Sequence, residues 1–169
     1  MPDGQFTVSA SPPGGRRAKG APRRLRAFLA RWRRLSWPDR TLLGEALLVV
    51  ALARLAIVTL PFRHVARLAS TRPARPLPAD AEAQILRARW AIRAVARRMP
   101  FRALCLEQGL SARAMLHRRG VPTTLYYGVA KDKDGKLAAH LWVRSGALDV
   151  IGTENAAQFT LLATFPPVE

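Results

Sequence analysis

Two hydrophobic periods divide the chain, one helical and one alternating. Between Leu42 and Phe62 nearly every position is apolar up to Pro61. The stretch before it, Ser36-Trp-Pro-Asp39, offers an N-cap serine and an acid for the first turn, so a long helix is predicted to start there. After the proline-rich stretch Ser70 to Pro78, a second helix is predicted from Asp80 as its N-cap. Its core-facing stripe is Ile85, Ala88, Ile92, Val95 and Met99, and Pro100 stops it. A third helix opens at Cys105 and closes at Arg118-Arg119-Gly120.

Beyond Val121 the period changes to two. Strands are predicted over Thr123 to Lys131, Lys136 to Arg144, Leu148 to Gly152 and Phe159 to Phe165, as an antiparallel meander. Helices followed by an antiparallel sheet make the fold class α+β, helices packed on one sheet with an N-terminal apolar helical extension. In the second strand Leu137, Ala139, Leu141 and Val143 form one apolar face. Ala138, His140, Trp142 and Arg144 share the other, which reads as the wall of a site.

Charge changes the reading of the first helix. Glu45 and Arg54 lie nine residues apart, on opposite sides of a helix, and each would cost a few kcal/mol at a bilayer centre. The helix is therefore expected to pack against protein or to lie at a membrane surface, not to span. The whole chain has a net charge of +17 and a pI near 11.8. Ten Lys or Arg between Arg16 and Arg40 face only Asp39. Such a block attracts acidic peptides, nucleic acid or anionic lipid without naming one. No zinc module, aromatic platform or helix-turn-helix spacing accompanies it, which argues against a specific nucleic-acid reader.

The domain layout that follows is a disordered tail over 1–21, a basic and apolar helical region over 22–70, a linker over 71–79 and an α+β domain over 80–169. No signal peptide or twin-arginine export pattern is present, so a cytoplasmic protein with possible peripheral membrane contact is expected.

Candidate chemistry rests on one cysteine. Cys105 at a helix start meets backbone N–H groups and the positive end of the dipole, which stabilise a thiolate. His117 lies twelve residues along the same helix, roughly 18 Å away, and cannot reach it. His64 ends an apolar helix beside Arg63 and Arg67, which leaves His140 as the base. With Ser145-Gly146 as a two-residue turn, Trp142 falls opposite Asp149 and His140 becomes the diagonal neighbour of that aspartate, which would orient its imidazole. A three-residue loop would need a bulge to restore this parity. Cys, His and Asp in that order make a nucleophile, a base and an orienter. No phosphate loop, dinucleotide fingerprint or zinc helix is present, so no cofactor is called for by motif.

These residues resemble a known family. Leu104-Cys105-Leu106, Arg118-Arg119-Gly120-Val121-Pro122, Tyr127-Gly128-Val129, Ala139-His140-Leu141-Trp142-Val143, Asp149-Val150-Ile151-Gly152 and Phe159 to Phe165 together look like the transglutaminase-like cysteine peptidases of lasso peptide biosynthesis, the B proteins. The resemblance implies the catalytic half of a split system. Such a protein cleaves the leader from a ribosomal precursor peptide, with Cys105, His140 and Asp149 catalytic and Trp142 at the substrate. It implies as partners a leader-recognition protein and an asparagine-synthetase-like cyclase, and a reaction linked to ATP. A cysteine acyltransferase and a non-catalytic basic scaffold remain as alternatives.

Overall fold

Two helices lie against one face of a four-stranded antiparallel sheet, and a third, longer helix packs on those two. The computed structural model describes residues 35–71, 77–101, 104–131 and 133–167. The expected tail, the first part of the basic region and most of the expected linker lie outside them. Helix α1 spans Trp37–Thr59, α2 Phe62–Ser70, α3 Ala81–Ala96 and α4 Cys105–Arg118. Strands β1 Thr124–Lys131, β2 Leu137–Ser145 and β3 Leu148–Ile151 follow. A short 3-10 turn at Ala156–Gln158 then leads to β4 Thr160–Phe165.

The apolar spacing accounts for the helical layer. Leu42, Ala46, Val49, Val50 and Ala53 of α1 are buried, as are Ile85, Ala88, Ala91, Ile92 and Val95 of α3 and Ala112, Met115 and Leu116 of α4. They share a core with Leu125, Leu141, Val143, Val150 and Ile151 of the sheet. Small residues at Ala46, Ala88, Ala91 and Ala112 let the helices approach closely. The apolar N-terminal helix therefore belongs to the same core as the helices expected in the domain. From Trp37 onward the chain forms a single unit.

Glu45 and Arg54 of α1 are turned onto α4 and the residue that follows it. Glu45 pairs with Arg118 and with Arg119, whose Nη1 lies 2.8 Å from Oε1. Arg54 Nη1 pairs with Glu107 Oε1 at 3.0 Å. The Arg119 guanidinium holds the Glu45 carboxyl below its ordinary range, although partial burial opposes this. Arg113, buried in α4, donates to the Thr123 carbonyl at 2.6 Å and to the carbonyl of Thr71. Burial pushes its guanidinium down to about 10, so it remains charged at neutral pH.

Three local expectations change. Asp80 makes no capping bond to the α3 backbone, and its Oδ1 instead accepts Gln84 Nε2 at 2.7 Å. The sheet is not a simple meander, because its order is β3-β2-β1-β4 and β4 pairs with β1. The segment after β3 must therefore cross the sheet to reach the opposite edge. Third, the apolar face of β2 is buried only at Leu141 and Val143. Leu137 is 77% exposed and Ala139 is also exposed, since the strand overhangs the helical layer there.

Candidate active site

Cys105 is the first residue of α4, half-buried, with its side chain against the core. What fixes this helix start is Glu107, two residues on. Its Oε2 accepts the Leu104 backbone N–H at 3.1 Å while its Oε1 holds Arg54, and Glu107 is 2% exposed. The arginine in turn lies over the Phe101 ring, 5.5 Å from its centroid. A carboxylate at the third helical position satisfies one of the orphan N–H groups of a helix start. The pair thus ties the cysteine's turn to α1. The Ser111 hydroxyl donates to the Glu107 carbonyl at 2.6 Å, which holds the next turn.

Along α4, Gly109 sits against Leu141 and Val143, and a Cβ there would lie 2.2 Å from Leu141 Cδ2. Those two side chains point at the helix. By strand alternation His140 and Trp142 project from the other face of β2. There the ring of Trp142 stacks on Tyr126 at 5.6 Å, and His140 packs on Trp142 at 6.0 Å and Phe159 at 4.9 Å. Trp142 is buried, so it supports the imidazole from beneath. Gly128, paired with His140 on β1, leaves the space these rings fill, because a Cβ would stand 3.1 Å from both Trp142 and Phe159.

The imidazole is held by a backbone carbonyl. His140 Nε2 lies 2.7 Å from the oxygen of Gly152. A carbonyl can only accept, so Nε2 carries the proton and the neutral ring keeps its lone pair on Nδ1. Gly152 has φ +75°, and a Cβ on it would meet the Leu141 carbonyl at 2.8 Å. Only glycine holds this carbonyl where the imidazole can use it.

Asp149 stands elsewhere. The hairpin loop is Gly146-Ala147, with Gly146 at φ +55° in its first position, and not Ser145-Gly146. Ser145 stays in β2, opposite Leu148, and its hydroxyl donates to the Pro122 carbonyl at 2.7 Å. The register moves by two residues, which places Asp149 opposite Arg144, and a bulge follows between Val143 and Arg144. The Asp149 carboxylate accepts Arg144 Nε at 2.9 Å. Four residues along β2 separate that pairing from His140, about 13 Å at 3.3 Å per residue. The expected bond from His140 to Asp149 is therefore not formed.

Cys105 and His140 are brought to neighbouring elements but share no hydrogen bond among the described residues. His117 lies in the last turn of α4, as its spacing required. A surface hollow of about 200 Å3 lies near Glu45, Gln84, Arg87 and Arg119, at the opposite end of α4 from the cysteine. Glu107, which fixes the helix start at Cys105, and Gly152 and Phe159, which touch His140, are contacts that sequence reasoning missed. The signal for Glu107 was present, an acid three residues after a helix cap; the other two depend on the crossing segment.

A cysteine opens a helix that packs on an antiparallel sheet, and a histidine lies on the second strand of that sheet, in an α+β fold. A model of the transglutaminase-like superfamily matches residues 46–164, more than half of the chain, and the protein belongs to that superfamily. Members of this superfamily are typically cysteine-dependent enzymes, of peptidase or acyltransferase type. The match begins inside α1, in keeping with the shared core. No curated protein and no solved structure matches the chain.

Proposed function

We propose that this protein is a leader peptidase of lasso peptide biosynthesis, with Cys105 as nucleophile and His140 as base. The observation that carries the reading is the oriented imidazole. His140 presents Nδ1 as its basic nitrogen because Gly152 fixes Nε2, in a superfamily chain whose lone cysteine opens a helix. The short motifs around Cys105, His140 and Gly120 supply the narrower resemblance to the lasso B proteins.

In this reading the Cys105 thiol gives its proton to His140 Nδ1 and its sulfur attacks the scissile carbonyl at the end of the leader. The imidazolium protonates the departing amine of the core peptide as the C–N bond breaks. Water, deprotonated by His140, then cleaves the thioester and restores the thiol. His140 projects from the face of β2 turned away from α4, so this reading requires thiol and imidazole to be brought to one side of the sheet in the substrate complex. Gly152 takes the orienting role expected of Asp149, and Trp142 and Phe159 hold the ring in place. A recognition protein would deliver the leader, a cyclase would use the freed amine, and the link to ATP would lie with those partners.

The test is reconstitution of the full chain with precursor peptide and recognition protein, read by mass spectrometry with and without a small amine acceptor. Leader released as a free acid, and lost in Cys105→Ala, supports the peptidase. Leader captured on the amine in preference to water identifies an acyltransferase. Unchanged precursor under all conditions identifies a non-catalytic protein.

A further inference from the structure

The side of α1 that faces away from the core is an apolar stripe with no partner among the described residues. Trp37, Gly44, Leu48, Ala51, Leu55 and Val58 follow one another at helical spacing, and all are exposed. Leu48 is 58% exposed, Leu55 57%, Val58 66% and Trp37 73%, while Leu47 and Leu52 widen the stripe at 51% each. From Trp37 to Val58 it runs roughly 32 Å at 1.5 Å per residue. Its aliphatic part, Leu47 to Val58, covers about 16 Å of that length at 1.5 Å per residue, and an exposed apolar patch of this kind marks an interaction surface.

The helix is long and apolar enough to cross a bilayer by length and composition. Its pairing argues for a different placement. Glu45 and Arg54, the two charges between Thr41 and Thr59, are engaged by Arg118 and Glu107 of α4 and by Arg119, which follows it. Ala46, Val50 and Ala53 are packed into the domain core. Surrounding α1 with lipid would break both sets of pairs and strand the charges, whereas laying the exposed stripe on a membrane disturbs neither.

Charge names the kind of surface. The sequence from Arg16 to Arg40, which leads into α1 and includes its first turn, carries ten cations against Asp39 alone, and the helix that follows exposes Arg63 and Arg67. A leucine-rich stripe bracketed by cations, with an exposed tryptophan at one end, matches the boundary between acyl chains and anionic headgroups. We propose that α1 seats its exposed face in the interface of an anionic bilayer, with its axis in the membrane plane and α4 above it. This goes beyond the peptidase reading and stands whether or not that reading does.

The experiment is flotation of the purified full chain with vesicles of phosphatidylcholine alone, or of phosphatidylcholine and phosphatidylglycerol at about three to one. It compares wild type with the triple variant Leu48→Gln, Leu52→Gln, Leu55→Gln. These positions are exposed, and circular dichroism melts check that the variant keeps its fold. Wild type is expected to float with the anionic vesicles, to bind neutral ones at least about tenfold more weakly, and to be released by alkaline carbonate. The triple variant is expected to lose at least about tenfold in anionic binding. Equal binding by wild type and variant would overturn the proposal, since cations alone would then account for attachment. It would also be overturned by the absence of vesicle binding, by carbonate-resistant insertion, or by a lipid-free dimer that the triple variant dissolves.

Discussion

The start of α4 and the turn end of the β2–β3 hairpin each hold an arginine paired with a carboxylate, yet the two pairs stand in different surroundings. At α4 the Glu107 side chain is 3% exposed and serves Arg54 and the Leu104 N–H together. At the hairpin Asp149 and Arg144 are 48% and 44% exposed and serve mainly each other. Exposed pairs contribute about 0–1 kcal/mol because water screens them and two side chains lose freedom. A buried carboxylate that also satisfies a helix start cannot be removed so cheaply. Position in the chain suggested Asp149 for the site; burial and bonding single out Glu107 beside the cysteine and Gly152 beside the histidine.

Changing these residues in turn sharpens the contrast. The largest loss of stability is expected for Glu107→Ala, about 2–3 kcal/mol by denaturant titration, since it empties a buried site and leaves the half-buried Leu104 N–H and Arg54 without their acceptor. Glu107→Gln should recover part of this through the retained acceptor oxygen. Equal losses in the two variants would show that the retained volume and oxygen recover nothing and that the charge of the carboxylate carries the effect. Next comes Gly152→Ala, where φ +75° and the Leu141 carbonyl oppose a Cβ. It should cost about 1–3 kcal/mol and slow cleavage even under conditions where the variant is folded.

A smaller effect is tied to pH. Arg119 holds the Glu45 carboxyl below its usual 4.5 in the folded chain. A depressed folded pKa means that the pairing stabilises above the unfolded value and fades as pH falls through the folded one. The melting temperature of Glu45→Gln should therefore lie below wild type at pH 7, and the two curves should converge in acid. A gap that persists below pH 3 would point to packing and not to charge. The smallest effect is expected for Asp149→Asn, under about 1 kcal/mol in stability.

The helical half of the fold was legible because its signals are local. Ser36 and Asp39, Pro61, Pro100 and Gly120 mark helix ends, and the stripe at Ile85, Ala88, Ile92 and Val95 is the buried one. Glu45 and Arg54 argued correctly that α1 leans on protein, although their partners on α4 were out of sight. The sheet was less legible. Whether Gly146 is the first or second residue of a turn changes the register by two and moves Asp149 from the neighbourhood of His140 to that of Arg144. The order β3-β2-β1-β4 depends on a crossing segment without periodicity, and that segment brings Gly152 and Phe159 to the imidazole. Backbone acceptors carry no side-chain signature, so a carbonyl in the orienting position is invisible until the chain is folded.

The claim that a carbonyl and not a carboxylate orients the base is tested most directly by comparing His140→Ala with Asp149→Asn in the reconstituted cleavage assay, at saturating precursor and recognition protein. His140→Ala is expected to lose about 10³-fold or more in turnover, as removal of a catalytic base does. Asp149→Asn is expected to stay within about threefold of wild type. If Asp149→Asn is crippled to the same degree as His140→Ala while its melting curve is unchanged, Asp149 and not Gly152 orients the imidazole, and the site as described here is wrong.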